Sequence, residues 1–417
     1  MGDTSLNGKP ETAVPGRVSL AGATGALAAW LMILVFRPSP ILGTVLFLMA
    51  CALPMWWMEL RRFPRPARRA NTLRSALTPG THNWRFRLRL LGLMGFLFAL
   101  SLTFHAFRQF SADYISGLMQ LLPVAAPLAA GWALWILLRA PRGLGRDSLE
   151  SLGLALTHAT RRRFSTNDRQ AVLGWMVKAF YLPIMISSVY AFLHNAFDPD
   201  PGKHGWWKVY AMVYQSLFAV DTAFATIGYC STSRRIGAHI RSTEPTVLGW
   251  AAALVCYPPL NVLILHRWLS YDDGYDWISW LHGYPVLTAL WAVAILSATG
   301  LYAWATVAFG PRFSNLTNRG IITSGPYSWF KHPSYLGKNL AWWLISIPFI
   351  STSGPVAALA NCAALLALGI IYVVRAKTEE RHLMSDPTYQ SYCNWIEQHG
   401  FLPRIKRKFL PAPLREA

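Results

Sequence analysis

Apolar residues in this chain come in blocks of membrane length. Runs near residues 18 to 36, 40 to 58, 88 to 106 and 118 to 138 fill the first third. Others follow near 171 to 193, 209 to 229, 246 to 266 and 284 to 307, then a close pair near 334 to 350 and 355 to 374. A helix needs about twenty such residues to cross the hydrocarbon core of a bilayer. The pattern predicts an all-α, polytopic membrane protein of about ten transmembrane helices.

Composition agrees: 53% of the 417 residues are hydrophobic and only 14% charged, where soluble domains carry about a quarter. A net charge of +20 would suit a nucleic-acid partner, but its distribution excludes one. Arg61, Arg62, Arg65, Arg68, Arg69 and Arg74 crowd the connection after the second run, and Arg139, Arg142, Arg146, Arg161, Arg162 and Arg163 the one after the fourth. The alternate loops are nearly free of basic residues, which is how membrane orientation is encoded. An integral, multi-pass protein with both termini cytoplasmic follows, with a bacterial inner membrane as its expected home. The polar first seventeen residues lack a cleavage pattern, so the first run reads as a retained span and the mature chain as starting near Met1. On the opposite face, Asp198, Asp200, Asp272, Asp273 and Asp276 gather near Trp206, Trp207, Trp268, Trp277 and Trp280, tryptophans of the kind that anchor at the interface. Cys51, Cys230, Cys256, Cys362 and Cys393 show no C-x-x-C spacing, which predicts neither disulfides nor a metal site.

Candidate chemistry begins after the eighth run. Residues 310 to 332 form a connection too long and too aromatic for a simple linker, and loops of that length are usually functional or disordered. Pro333 suits the first turn of a helix, which leaves His332 at its N-terminus, where free N–H groups favour an anion. Simple capping by His332 explains the spacing equally well. Ser351-Thr352-Ser353-Gly354 is short enough to force a helical hairpin, which brings the loop and the C-terminal tail to one side. There Arg375 and Glu379 share a helix face, as an i,i+4 surface pair also would.

These residues resemble a known family. The segment T-S-G-P-Y-S-W-F-K-H-P-S-Y-L-G at 323 to 337, a hairpin, then R-x-x-x-E-E-x-x-L at 375 to 383 is similar to the isoprenylcysteine carboxyl methyltransferases and their phospholipid N-methyltransferase relatives. Tyr389, Tyr392 and Phe401-Leu402-Pro403 fall about where that family has paired tyrosines and a proline-containing end. The resemblance divides the chain into an N-terminal multi-span region, 1 to 283, of unassigned role, and a methyltransferase-like membrane module, 284 to 417. It implies S-adenosylmethionine as cofactor, held by Gly320, Ile321, Ile322, Tyr327, His332, Pro333, Ser334, Tyr335 and Glu379. It implies Arg375 and Glu379 as the catalytic pair, with Arg375 positioning a carboxylate. The acceptor it implies is a lipophilic small molecule or a prenylated or lipidated substrate entering from the membrane lipid. A carboxylate is ionised at neutral pH and needs no general base; for an amine or thiol, His332, Glu380, His382 or Tyr389 would be the candidates.

In the first seven runs His105, Lys178 and Asp221 are ionisable residues in or near lipid, where they are costly and often functional. Asp221 is read either as half of a buried pair, with Lys178 as its candidate partner, or as a substrate-binding or proton-handling group. Cys256-Tyr257-Pro258-Pro259 breaks the seventh run, either as a packing kink or as a cavity wall bearing Tyr257 and Asn261. Two other classes remain open: an NADPH-dependent sterol or isoprenoid reductase, whose R-H-x-N-Y-x-G-D pattern is departed from at Ser334 and Lys338, and a non-catalytic transporter or receptor.

Overall fold

The computed structural model describes residues 8–63, 79–138, 146–158, 165–198, 205–271 and 275–409. The N-terminal region holds α1 (Gly16–Phe36), α2 (Pro40–Arg62), α3 (Pro79–Phe110), α4 (Asp113–Leu138), α5 (Ser148–His158), α6 (Thr166–Phe197), α7 (Trp206–Cys230) and α8 (Val247–Leu254). After short turns at His266–Trp268 and Trp277–Trp280 come α9 (Pro285–Phe309), α10 (Pro333–Ser346), α11 (Pro355–Leu383), α12 (Pro387–His399) and α13 (Phe401–Phe409). Proline opens α2, α9, α10, α11 and α12, where its missing N–H costs nothing because the first turn has no partner for it.

Among the described residues, seven helical segments are long and apolar enough to span a bilayer. They are 16–36, 40–62, 84–110, 113–138, 166–197, 285–312 and 355–383. Their outward faces carry bare aliphatic side chains, Val35 at 71% exposure and Val356 at 80% among them, as lipid-facing surfaces do. Three of the ten runs read from the sequence fall short of that standard. The run at 209 to 229 is a 25-residue helix, α7, with Tyr, Gln215 and Asp221 diluting its apolar content. The run at 246 to 266 breaks at Pro258 and Pro259, continuing as a single π-helical turn over Asn261–Leu265. The first arm of the hairpin, α10, has 14 residues, about 21 Å at 1.5 Å per residue, against about 30 Å of hydrocarbon.

Packing runs α1 on α2, α6 on α7, and α9 on α10, with α7 also against α9. The last contact joins the N-terminal spans to the C-terminal module. Further ties cross the same boundary. Strands β1 (Ser242–Thr243) and β2 (Thr317–Asn318) pair antiparallel, Ser242 opposite Asn318. Arg319, 3% exposed, donates to the carbonyls of Gly228 at 2.7 Å, Ala238 at 2.5 and 2.9 Å, Phe313 at 2.9 Å and Pro311 at 3.3 Å. Burial pushes its pKa below the ordinary arginine value, and those carbonyl dipoles offset part of the cost. The segment preceding α1 lies along the same loop: Ala13 N–H donates to the Ile321 carbonyl at 2.8 Å, and Thr323 Oγ1 to the Pro10 carbonyl at 2.9 Å.

Of the acid and tryptophan group, Asp200, Asp272 and Asp273 lie outside the described residues. Trp206, Trp207, Tyr210 and Trp277 form one ring cluster with centroids 4.1–5.6 Å apart. Asp276 caps the turn at Trp277–Trp280, accepting from Ser279 N at 2.9 Å. All five cysteines are free thiols.

Candidate functional site

A cavity opens where α8, α9, α10, α11 and the loop after α9 meet. The sequence places its walls by simple means. Pro333 starts α10 so that the residue before it, His332, stays non-helical. Gly337 then lets α10 lie against α9, because a Cβ there would be 2.7 Å from the Ala298 carbonyl and 2.9 Å from Tyr302 N. The hairpin returns α11 alongside, and Arg375 and Glu379 turn inward one helical turn apart.

Of the residues that the resemblance singled out, Tyr327, His332, Ser334, Tyr335, Arg375 and Glu379 line this cavity. Arg375 and Glu379 do not form an i,i+4 pair: each has its own partner across the site. Glu379 accepts from the Tyr335 hydroxyl at 2.7 Å. Arg375 donates through Nη2 to the Asn315 side-chain carbonyl at 2.7 Å. His332 does not cap α10 with its side chain. Its Nε2 lies 2.9 Å from Glu380 Oε1, and its ring stacks on Tyr335 at 5.5 Å.

Arg375 is 6% exposed. Its guanidinium carbon is 5.3–5.9 Å from the ring centroids of Tyr335, Tyr257 and Tyr372, within range of a cation–π attraction. Among the described residues it has no carboxylate within ion-pairing distance. Asn315 fixes the arrangement from below, donating its amide to the hydroxyls of Tyr229 at 3.0 Å and Tyr257 at 3.2 Å.

Gly320, Ile321, Ile322 and Pro333 do not line the cavity. Gly320 takes φ +110 with its N–H held by Asn318 Oδ1 at 2.8 Å, and the position its Cβ would occupy is 2.7 Å from Ala13 Cβ. Ile321 packs with Tyr389, Tyr392 and Cys393, and Ile322 with Val14, Ile227 and Ala308. Pro333 is buried in the first turn of α10. These four shape the backbone behind the site. Of the candidate bases, His382 lines the cavity, with Nε2 2.9 Å from Ser242 Oγ. Tyr389 lies in the cluster around Ile321, where burial pushes its phenol up and keeps it neutral.

Asp221 does not pair with Lys178. Its carboxylate accepts from the hydroxyls of Tyr302 and Thr306, the latter at 2.5 Å, both on α9. Lys178 Nζ instead sits 4.4 Å from the Trp175 ring centroid. The cavity also has members that spacing in the sequence did not single out: Glu244, Tyr302, Asn315, Lys338 and Tyr372. Glu244, 2% exposed, accepts from Thr246 through Oε1, while its buried Oε2 accepts no hydrogen bond and has His382 Nδ1 3.9 Å away. Lone polar residues in loops or among aromatics carry no motif, so nothing local distinguishes them.

The donor set suits a zwitterionic cofactor bearing a second positive centre. Glu244 Oε2, which accepts no hydrogen bond, and the Glu379 carboxylate can accept from an ammonium or ribose hydroxyls, the α10 N-terminus can meet a carboxylate, and the tyrosine faces can flank a sulfonium.

Comparison with known proteins agrees for one part of the chain. Residues 286–385 match the isoprenylcysteine carboxyl methyltransferase (ICMT) family. No curated protein and no solved structure matches the chain. The matched stretch takes in α9, the loop, the hairpin and the residues around Glu379, and supports a membrane methyltransferase acting on a lipophilic substrate.

Proposed function

We propose that this chain transfers a methyl group from S-adenosylmethionine to the carboxylate of a lipophilic acceptor, which reaches the site from the bilayer. The observation that carries the reading is Arg375: a buried guanidinium walled by three tyrosines, with a neutral amide as its hydrogen-bonding partner. A buried charge without a counter-charge is costly. A substrate carboxylate supplies that counter-charge, and a guanidinium grips it in two-point fashion.

When bound, S-adenosylmethionine supplies an already activated methyl group on a sulfonium. The protein is left with alignment and exclusion of water. Arg375 orients the acceptor oxygen, and Tyr257, Tyr335 and Tyr372 keep that end of the cavity dry. Tyr335, through its hydroxyl, holds Glu379 for the cofactor; Glu380 holds His332 beside the helix N-terminus. No proton has to move, because a carboxylate is ionised at neutral pH. The acceptor is a lipid acid or a prenylated or lipidated carboxyl terminus.

The same reading puts both chain ends on the cytoplasmic face. Lys9 lies 5.0 Å from the ring centroid of Trp395, so the segment before α1 and α12 share one side of the bundle, where Arg61 and Arg62 also end α2.

Titration of S-adenosylmethionine and, separately, NADPH into the detergent-purified chain tests the reading. Saturable S-adenosylmethionine binding that weakens in Glu379→Ala is expected. Binding of NADPH alone moves the protein to the reductases; binding of neither removes the enzymatic reading.

A further inference from the structure

A second cavity, of about 300 Å³, lies inside the membrane-spanning region. Its walls are mostly N-terminal: Tyr114 of α4, Ile184 and Ser188 of α6, and Phe218 of α7 face Thr299 of α9 and Trp342 of α10. Tyr257, Tyr302, Phe313 and Lys338 line both this cavity and the one around Arg375. The two spaces therefore abut across one partition, with Lys338 Nζ seated 4.4 Å from the Tyr302 ring centroid within it. At about 30 Å³ per water-sized group, the inner space takes roughly ten carbon-sized groups, at the small end of ligand pockets.

The lining mixes apolar and aromatic side chains with Ser188, Asp221, Thr222, Asn261, Thr299 and Lys338, and two of these polar groups hold an unsatisfied atom. Thr299 is 1% exposed and its Oγ1 has no hydrogen-bond partner; Asn261 Oδ1 is likewise buried and unpartnered. A helical threonine ordinarily returns its hydroxyl to a carbonyl one turn back, as Thr222, Thr226 and Thr288 do here. A buried polar atom left without a partner costs about 1–3 kcal/mol and calls for an explanation. Both orphans face the same cavity.

We propose that this inner cavity is a chamber for the apolar chain of the methyl acceptor, walled by the N-terminal spans, and that Thr299 and Asn261 receive a hydroxyl carried on that chain. The ligand class is a hydroxylated lipid acid, its carboxylate toward Arg375 and its chain toward α4, α6 and α7. The proposal rests on the carboxyl-methylation reading for the direction in which the lipid lies. Asp221 lines the chamber and accepts from Tyr302, a member of the partition, and from Thr306.

The test uses the full chain in detergent micelles with a photoactivatable probe, diazirine-bearing palmitic acid, and two competitors, palmitic acid and ω-hydroxypalmitic acid. Labelled peptides are mapped by mass spectrometry, and S-adenosylmethionine binding is followed on the same samples. Label is expected on α6 around Ser188 and α7 around Phe218, displaced better by the hydroxylated competitor. Ser188→Phe, which fills the chamber, should cut that label at least about tenfold, the equivalent of about 1.4 kcal/mol of binding. Thr299→Val should leave the label but abolish the preference for the hydroxylated competitor. Unchanged S-adenosylmethionine binding in both variants certifies the fold. Label confined to lipid-facing positions such as Leu128 and Val356, or unchanged in Ser188→Phe, overturns the chamber; equal displacement by both competitors in the wild type overturns the hydroxylated class. Loss of S-adenosylmethionine binding in the wild type, with chamber labelling intact, removes the methyltransferase reading alone.

Discussion

Replacing Arg375 by methionine keeps an unbranched apolar stem and removes the guanidinium and its charge. In the structure the guanidinium has the Asn315 carbonyl at 2.7 Å and three tyrosine faces 5.3–5.9 Å away. A hydrogen bond to a charged group contributes about 1.5–3 kcal/mol, or about 10- to 100-fold in affinity for an anionic acceptor. The chemistry says where that factor falls. As the methyl group moves, the acceptor carboxylate loses negative charge, so Arg375 holds the ground state at least as tightly as the transition state. Loss of such an interaction raises KM and leaves kcat largely intact. The assay is radiolabelled methyl incorporation into a farnesylcysteine derivative or a lipid acid, with KM and kcat determined separately. Arg375→Met should raise acceptor KM about 10- to 100-fold and leave S-adenosylmethionine affinity near wild type, with Arg375→Lys in between because a point charge lacks the two-point grip. A fall in kcat at unchanged acceptor KM would refute the role assigned to Arg375.

Other perturbations test the scaffold. Arg319→Leu leaves the carbonyls of Gly228, Ala238, Pro311 and Phe313 short of a donor while relieving a buried charge. The net loss should be about 3–5 kcal/mol, read as a lower midpoint of unfolding in detergent. Ala13→Pro deletes the N–H that holds the Ile321 carbonyl; a cost of about 1–3 kcal/mol and faster amide exchange across 320 to 324 are expected, and protection unchanged from wild type would show that the contact is dispensable. Burial works against the charge of Asp386, but hydrogen bonds from Asn318 Nδ2 at 2.8 Å and Thr388 N, with Arg241 nearby, hold its carboxyl below the ordinary 3.8. A depressed carboxylate stabilises the fold above its unfolded pKa and loses that contribution as pH falls through the folded value. Asp386→Asn should therefore narrow the stability difference from wild type as pH drops below about 3.8, followed by thermal melts across acid pH.

The strongest sequence signals were those that act locally. Runs of apolar residues marked α1 to α4, α6, α9 and α11 because a lipid-facing helix writes its whole length in side chains of one kind. The signal was weaker at α7, whose tyrosines and Asp221 dilute its apolar content, and at α10, which is apolar but short. His332, Tyr335, Arg375 and Glu379 were visible as a motif, and the structure puts them around one cavity. Their partnerships were not legible: Arg375 with Asn315 and Asp221 with Tyr302 and Thr306 are 60, 81 and 85 positions apart, and no periodicity reports on contacts across such distances. Gly320, Ile321 and Ile322 were named by the resemblance but sit behind the cavity. Glu244 carried no motif and sits within it.

The pairing of residues 10 to 13 with the loop at 321 to 323 sets an order for biogenesis. Thr323 and Pro10 are 313 positions apart. At a translation rate of about 5–20 residues per second, the first strand of that clasp leaves the ribosome tens of seconds before its mate. Through that interval the spans that precede the loop are made with the clasp open, because its second half does not yet exist. A nascent chain halted in any span before that loop has nothing for residues 10 to 13 to pair with, and synthesis of the loop is the event that lets the clasp close.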